Sequence, residues 1–220
     1  MERILPYFRH GLRGLNEDGS LADPGADVIA GDHAHIFVMD LEMSGPDPRT
    51  HEVLDMGGVL AALEPRFPEH RSWGSRVRPL HIGTAEVGAL KVVGYSPEAW
   101  RQAIALEKAV EAFTDTGAGA VLAGWGIEQD LAFLAETYRR LERPWPFARV
   151  AIDVQQVARA MLRNGEVDRF NLGHVADRLG IGRMGEHGAL ADAYATYDIL
   201  VKLFELADAR SAARADAAGS

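Results

Sequence analysis

The stretch from His35 to Glu42 limits the possible folds of this chain more than any other. It reads His-Ile-Phe-Val-Met-Asp-Leu-Glu, an almost unbroken apolar run that turns acidic only at its end. A strand that is apolar on both faces is typical of the centre of an α/β sheet, where helices cover each side. We therefore expect His35–Glu42 to be a central strand of an α/β fold.

The rest of the chain supplies strands and helices in alternation. Further strands are predicted by short apolar runs between turn signals, at Val53–Leu63, Arg71–Val77, Ala120–Ala123 and Val150–Asp153. Helices are predicted from Ser96-Pro97-Glu98, after Ala123, after Asp153, near Asn171 and over Gly188–Leu206. The predicted domain spans residues 35–206, with 1–34 as an N-terminal extension and 207–220 as a flexible C-terminal tail.

Composition excludes several classes of protein. The 220 residues carry a net charge of −9 and contain no cysteine, so disulfides, thiolate zinc sites and cysteine nucleophiles are excluded. Carboxylates and histidines remain as the candidate metal ligands. No apolar run approaches the roughly 18 residues that a membrane span needs, so we expect a cytoplasmic protein with no membrane partner.

One segment is rich in arginine, although the net charge of the whole chain is negative. Residues 139–183 contain nine arginines and five acids, which gives a local charge of about +4. Two interpretations stay open. The segment either faces a polyanion, since the planar guanidinium suits phosphate, or it reflects a general use of arginine on a solvated surface.

Asp40 and Glu42 form the first candidate site. Side chains two residues apart in a strand point to the same face, so both carboxylates project from the C-terminal end of the first strand. Ile36 and Val38 lie on the same face and form an apolar floor. Carboxylates this close either share a proton or hold a cation, and their hard oxygens favour Mg²⁺ or Mn²⁺. The alternative is an ordinary solvated strand end.

Three later residues complete the candidate set. Asp130 lies on the helix predicted after Ala120–Ala123, and a parallel strand beside the first would open that helix at the same edge of the sheet. His187 and Asp192 are five residues apart at the start of the last predicted helix. His35 and Asp40 have the same spacing, but five residues along a strand span about 16 Å. His187, at the entry of a helix, is therefore the candidate base for a water beside these carboxylates, and the alternative is an ordinary surface histidine at a helix start.

Taken together, these motifs resemble the DEDDh exonucleases, the superfamily of polymerase proofreading subunits, ribonuclease T and oligoribonuclease. The resemblance covers about residues 35–206. Its motifs are Asp40-Leu41-Glu42-Met43-Ser44-Gly45-Pro46-Asp47-Pro48, Ile127-Glu128-Gln129-Asp130, Phe170-Asn171-Leu172 with Leu179-Gly180-Ile181, and His187-Gly188-Ala189-Leu190-Ala191-Asp192. The first two are similar to those of oligoribonuclease.

The resemblance implies a ribonuclease H-like α/β fold. Its mixed sheet would have five strands in the order 3-2-1-4-5, with the second strand antiparallel and helices on both faces. It also implies two Mg²⁺ or Mn²⁺ ions. Asp40 would bridge both ions, Glu42 and Asp192 would complete one, Asp130 would support the other, and His187 would deprotonate the attacking water.

The implied function is a metal-dependent 3′–5′ exonuclease that acts on 3′ ends of single-stranded DNA or RNA and releases nucleoside monophosphates. Met43 and Ser44 are candidate substrate contacts, because they follow Glu42 where the family lays the terminal nucleotide. Trp125, just before the second motif, is a candidate for stacking on a base, and the alternative is a position in the core. One alternative is an oligoribonuclease-like enzyme on very short RNA, and another is a catalytically silent relative that binds nucleic acid. By analogy with small relatives, we also expect a homodimer.

Overall fold

One mixed β-sheet organises the molecule. The computed structural model describes residues 8–23, 33–162, 169–182 and 188–218, with side chains up to residue 210. Within these ranges, a single sheet contains six strands in the spatial order β4-β3-β2-β5-β6-β1. The strands are Leu12–Gly14 (β1), His35–Met43 (β2), Val53–Ala62 (β3), Glu69–Arg76 (β4), Val121–Gly124 (β5) and Val150–Asp153 (β6).

Five of the six strands have the predicted arrangement. With β2 counted as the first strand, β4-β3-β2-β5-β6 is the order 3-2-1-4-5, and β3 is antiparallel to β2 as expected. Strands β5 and β6 run parallel to β2, so their carboxyl ends share one edge of the sheet with Asp40 and Glu42. This edge is where ligands bind in open α/β sheets.

The sixth strand corrects the predicted count of five. β1 comes from the N-terminal segment that the sequence indicates as an extension, and it pairs antiparallel with β6. The N–H of Asp153 donates to the carbonyl of Gly11 at 2.7 Å, which continues the pairing beyond the strand. Leu-Arg-Gly is too short to show an apolar alternation, so only the free edge of β6 makes it a strand.

Helices cover both faces of the sheet. They are Val87–Val93 (α1), Leu106–Gly117 (α2), Glu128–Arg140 (α3), Val154–Met161 (α4), Leu172–Arg178 (α5) and Ala189–Ala218 (α6). On one face, α4, α5 and α6 pack over a core that includes Ile36, Val38 and Ile152. On the other face, α2 and α3 pack over Phe37 and Met39. None of the helices in the described ranges has both the length and the apolar character needed to cross a bilayer.

The predicted start of the helix at Ser96 is wrong. The Ser96 hydroxyl does accept the N–H of Ala99 at 3.1 Å, as an N-cap would, but only turns follow, and α2 begins at Leu106. Two long-range contacts interrupt the helix. The Trp100 indole N–H donates to the carbonyl of Leu54 at 3.0 Å, and Ile104 forms a parallel bridge with Val77.

The last helix is longer than predicted. It continues past Leu206 to Ala218, so the segment expected to be a flexible tail is helical up to that residue. The helix predicted near Asn171 is confirmed, because the Asn171 side chain caps α5 by accepting the N–H of His174 at 3.0 Å.

Two glycines bring α6 onto the sheet. Gly57 on β3 lies between Asp40 on β2 and Gly74 on β4 in one row of paired residues. A Cβ atom at Gly57 would overlap the backbone of Ala189 and Leu190, and one at Gly74 would lie 2.8 Å from the Cβ of Leu190. The missing side chains therefore allow the first turn of α6 to rest directly on β3.

We predict that Gly57→Ala lowers the thermal unfolding midpoint, because the new methyl group pushes the start of α6 away from the sheet. Overpacking of this kind costs about 1 to 3 kcal/mol. The measurement is thermal unfolding followed by circular dichroism. Gly83→Ala is the matched control, since a Cβ there meets no atom within 4 Å. Equal midpoints for both variants would show that α6 does not depend on Gly57.

Candidate active site

As predicted, Asp40 and Glu42 lie together at the carboxyl end of β2. Their side chains face α6. Both are partly exposed, whereas Ile36 and Val38 beneath them on the same face are completely buried. The pairing of β2 with β3 becomes irregular immediately after Glu42, where the register shifts by one residue. The acidic pair therefore stands on an apolar floor at the point where regular pairing ends.

Asp192 joins this pair from the first turn of α6. One carboxylate oxygen from each of Asp40, Glu42 and Asp192 lies within 4.8 Å of the other two. These residues from distant parts of the chain meet because α6 rests on Gly57, which pairs with Asp40. The structure thus brings together three of the four predicted metal ligands in one cluster, which we call the acidic triad.

Asp130 approaches the triad from the first turn of α3. Its carboxylate is 6 % exposed and accepts the N–H of Leu41, the residue between Asp40 and Glu42, at 3.0 Å. It acts electrostatically on Asp40 and Glu42, although it is not one of the three clustered carboxylates. Asp130 therefore fastens α3 to the end of β2 and adds a fourth carboxyl group to the site.

The pKa values of three of these carboxyl groups lie above those of free acids. Burial, together with repulsion from Asp130, Glu42, Asp192 and Asp55, raises the pKa of Asp40 well above its ordinary value. Burial, followed by repulsion from Asp192 and Asp55, raises the pKa of Glu42 to about 7. Burial also raises the pKa of Asp130 to about 7, although the Leu41 hydrogen bond opposes it.

The donor set of the triad fits a hard divalent cation. Its ligands are carboxylate oxygens alone, which suit Mg²⁺ or Mn²⁺ better than softer metals. A bound cation replaces the mutual repulsion with attraction and returns the acids to their charged forms. The raised pKa values therefore describe a site that is electrostatically incomplete without positive charge.

The predicted base is not among the described residues. His187 falls in the range 183–187, outside the described part of the chain, which resumes at Gly188. The alternative histidine is placed at the opposite end of its strand. His35 begins β2, is exposed, and lies with its ring 5.2 Å from that of His70.

The three predicted substrate contacts have different surroundings. Met43 lines a cavity of about 270 Å³ beside the triad. Ser44 is 1 % exposed, and its hydroxyl accepts the N–H of Glu52 at 2.8 Å, while its carbonyl accepts the N–H of Glu86 just before α1. Trp125 stacks on Phe170 with the ring centroids 6.1 Å apart. Only Met43 therefore faces the cavity, and Ser44 supports the cavity wall.

That cavity borders the triad through Glu42. Its walls come from the end of β2, from the loop that follows, and from α1, and are mostly aliphatic. The lining residues are Leu41, Glu42, Met43, Gly45, Pro46, Gly88, Ala89, Val92, Val93 and Gln129. An apolar surface beside a cluster of acids that holds a divalent cation is suited to a ligand with one flat apolar part and one anionic part.

Two acids near the site were not singled out from the sequence. Asp55 on β3 pairs with Glu42 and acts electrostatically on both Asp40 and Glu42. Asp153, 2 % exposed at the end of β6, accepts the N–H of Gly126 before α3 and lies 3.4 Å from the guanidinium of Arg13. A regular hairpin counted from the Met43–Val53 pair would place Leu54 opposite Glu42, so the sequence does not indicate Asp55; the register shift after Glu42 brings it there.

Four arginines of the arginine-rich segment have local partners. Arg139 and Arg140 bind Glu136, and Arg149 binds Glu17. Arg159 lies over the ring of Phe170, 4.4 Å from its centroid. Each of these arginines is engaged locally, which favours the interpretation of arginine spread over the surface.

The family to which this chain belongs follows from its match over most of the domain. Residues 37–200 match the model of the RNase_T family, described as an exonuclease. This chain belongs to that exonuclease family. The match runs from within β2 to the first part of α6, includes every described acid of the site, and confirms the resemblance to the DEDDh, DnaQ-like exonucleases.

Solved structures of exonucleases share the fold. The nuclease domain of 3′hExo, a DEDDh family member bound to rAMP, is 18% identical with a TM-score of 0.62, covering 80% of this chain and 94% of that one. E. coli Exonuclease I in complex with a dT13 oligonucleotide is 19% identical with a TM-score of 0.62, covering 77% and 40% of the two chains. These likenesses confirm the ribonuclease H-like α/β class.

A curated relative is similar over nearly the whole chain. The PolC-type DNA polymerase III of Thermotoga maritima is 22% identical over 200 residues, which is 89% of this chain and 13% of that protein. The chain therefore spans about an eighth of the length of this relative.

We predict that the metal-free protein loses stability as the pH rises from about 4.5 to above 7. The pKa of Glu42 is about 7 in the folded chain against an ordinary 4.5, so its proton is held more tightly in the folded state. Stability is therefore greatest below the ordinary pKa and falls as Glu42 ionises, by about 1.4 kcal/mol for each tenfold difference in proton affinity between the folded and unfolded states. Unfolding midpoints measured in chelator across this range test the direction.

Glu42→Gln removes this ionisation and should make the fall shallower without abolishing it, because Asp40 and Asp130 still ionise with raised pKa values. The variant should therefore be more stable than the wild type above pH 7. Glu111→Gln, a change at an exposed acid on α2, is the control and should follow the wild type. A Glu42→Gln curve that parallels the wild type would contradict the prediction.

Proposed function

We propose that this protein is a divalent-metal-dependent 3′–5′ exonuclease that removes nucleoside monophosphates from single-stranded DNA or RNA. The observation that carries the proposal is the acidic triad, three carboxylates within 4.8 Å of one another at the edge of an aliphatic cavity. A structural role does not explain acids kept together against their mutual repulsion. Membership of an exonuclease family supports the same function.

Asp40, Glu42 and Asp192 would hold the metal, with Asp130 supporting a second ion beside Asp40. We propose Mg²⁺ or Mn²⁺ and two ions, in line with the oxygen-only ligands and the family resemblance. When bound, such ions neutralise charge on the phosphoryl oxygens and stabilise the leaving oxygen. The protein's own contribution is to keep four acids at fixed positions on β2, α3 and α6.

His187 is the proposed general base. It would accept a proton from the water that attacks the phosphorus of the last phosphodiester. The bond from phosphorus to the 3′ oxygen of the preceding nucleotide then breaks, and that oxygen takes up a proton. The products are a nucleoside 5′-monophosphate and a strand that is one nucleotide shorter and carries a 3′ hydroxyl.

The cavity beside Glu42 is the proposed place for the terminal nucleoside. Its aliphatic lining offers contact to any base, and Met43 and Val92 line it from β2 and α1 respectively. Gln129 is already engaged, because its side-chain N–H group donates to the carbonyl of Pro46 at 2.8 Å. We therefore propose binding that depends little on base identity. A homodimer and a cytoplasmic location stay predictions.

The central test is hydrolysis of 5′-labelled and 3′-labelled single-stranded DNA, RNA and a dinucleotide with Mn²⁺. We expect stepwise shortening from the 3′ end, no activity in excess chelator, and recovery with Mg²⁺ or Mn²⁺. Asp40→Ala should lose several orders of magnitude in rate, while Asp115→Ala, which removes an exposed acid on α2, should not. Activity confined to the dinucleotide would favour an oligoribonuclease-like enzyme, and full activity in chelator would exclude the proposed mechanism.

We predict that His187→Ala lowers the rate by roughly 10² to 10⁴ while Mn²⁺ affinity is kept, because a general base contributes to proton transfer alone. The wild-type rate should rise with pH through the imidazole pKa, and this rise should flatten in the variant. A pH–rate profile and calorimetric titration with Mn²⁺ measure the two parts. Loss of Mn²⁺ binding would make His187 a ligand, and a similar rate loss in His35→Ala would mean that the wrong histidine was chosen.

A further inference from the structure

Asp55 is a carboxylate at the site that the four-acid set does not include. It lies on β3 in a row of paired residues, with Glu42 on β2 to one side and Arg76 on β4 to the other. The neighbouring row on the same face is Asp40, Gly57 and Gly74, on which α6 rests. Asp55 therefore borders both the acidic triad and the start of α6.

The contacts of Asp55 lead to α6. Hydrogen bonding from the backbone N–H groups of Ala189, the first residue of α6, and of Met56 opposes the rise that burial causes in the pKa of the Asp55 carboxylate. A Cβ atom built on Gly188 would lie 3.4 Å from its Oδ2 atom. The N–H groups of a first helical turn have no partners within the helix, so a carboxylate there fixes where the helix begins.

The start of α6 determines where Asp192 lies, because Asp192 is in the same helical turn as Ala189. A shift of this turn along the sheet would carry Asp192 away from Asp40 and Glu42. Gly57 permits the close approach of the turn but cannot hold it, since it offers no side chain. Asp55 supplies the hydrogen bond that Gly57 cannot.

We propose that Asp55 is a positioning residue that sets the register of α6 on the sheet and so holds Asp192 at the distance at which the triad binds a divalent cation. The inference rests on the proposed function for the identity of that cation. It assigns Asp55 no contact with substrate and no place among the ligands. What matters is an oxygen acceptor in this position, not a further negative charge.

Calorimetric titration with Mn²⁺ in the absence of nucleic acid tests this directly. Asp55→Asn keeps an oxygen acceptor and should bind Mn²⁺ within about threefold of the wild type. Asp55→Ala removes the acceptor and should weaken binding by roughly 10- to 100-fold, the usual effect of losing a group that orients a ligand. Amide hydrogen exchange at residues 189–192 should become faster in the alanine variant only.

The matched control is Asn171→Ala, which removes a side-chain cap of α5, away from the triad. It should lower the unfolding midpoint without changing Mn²⁺ affinity. If Asp55→Ala does the same, Asp55 is only a stabilising cap and the proposal fails. If Asp55→Asn weakens binding as much as Asp55→Ala, the charge matters and Asp55 acts as a ligand.

If Asp55→Ala does not fold, Asp55→Glu provides the test, because its longer side chain displaces the acceptor by one methylene. Asp55→Glu is expected to bind Mn²⁺ more weakly than the wild type. Wild-type affinity in this variant would overturn the proposal, and so would the absence of Mn²⁺ binding in the wild-type protein. Nuclease assays on the same proteins separate the two proposals. If the variants show the expected Mn²⁺ affinities but the wild type hydrolyses no nucleic acid, the positioning role of Asp55 stands and the proposed exonuclease function fails.

Discussion

Carboxylates gathered at one edge of the sheet repel one another, and the architecture around them is built to withstand that repulsion. Asp40, Glu42 and Asp192 lie together, and Asp130 is buried beside them, so each acid raises the cost of ionising another. The fold bears this cost through a large apolar core on both faces of β2. A bound cation attracts all of these carboxylates and so offsets their mutual repulsion. The acidic cluster, which is unfavourable by itself, is therefore suited to its proposed use as a metal site.

Contacts between segments that are distant in sequence hold the acids in place. The Leu41 N–H binds Asp130 and ties α3 to β2, while Gly57 and Asp55 hold the start of α6. The outermost strand, β1, contributes Arg13, whose guanidinium binds both Asp153 at the end of β6 and Glu128 at the start of α3. The N-terminal segment therefore belongs to the framework of the site, although it lies outside the part that matches the exonuclease family.

The cavity next to Glu42 shows how this framework serves a substrate. Its walls come from the end of β2 and from α1, and the Ser44 carbonyl joins the two by accepting the N–H of Glu86. Ser44 was expected to touch substrate, but its burial and its bond to Glu52 make it part of the support. A residue next to a catalytic motif often fixes the conformation of the loop instead of binding substrate, because the catalytic side chains need a rigid support.

Local patterns in the chain were enough to identify five of the six described strands, that Asp40 and Glu42 share a face, and that Asn171 starts a helix, because these properties depend on side-chain alternation and on groups within one turn. The remaining features depend on tertiary contacts. The capping signal at Ser96 is present, yet Trp100 and Ile104 bind distant strands and no helix forms there. Asp55 meets Glu42 only because Leu54 is an extra residue in the β2–β3 pairing, and Asp192 reaches them only because α6 rests on Gly57. Register and helix placement are set by packing between distant segments, which no local pattern records.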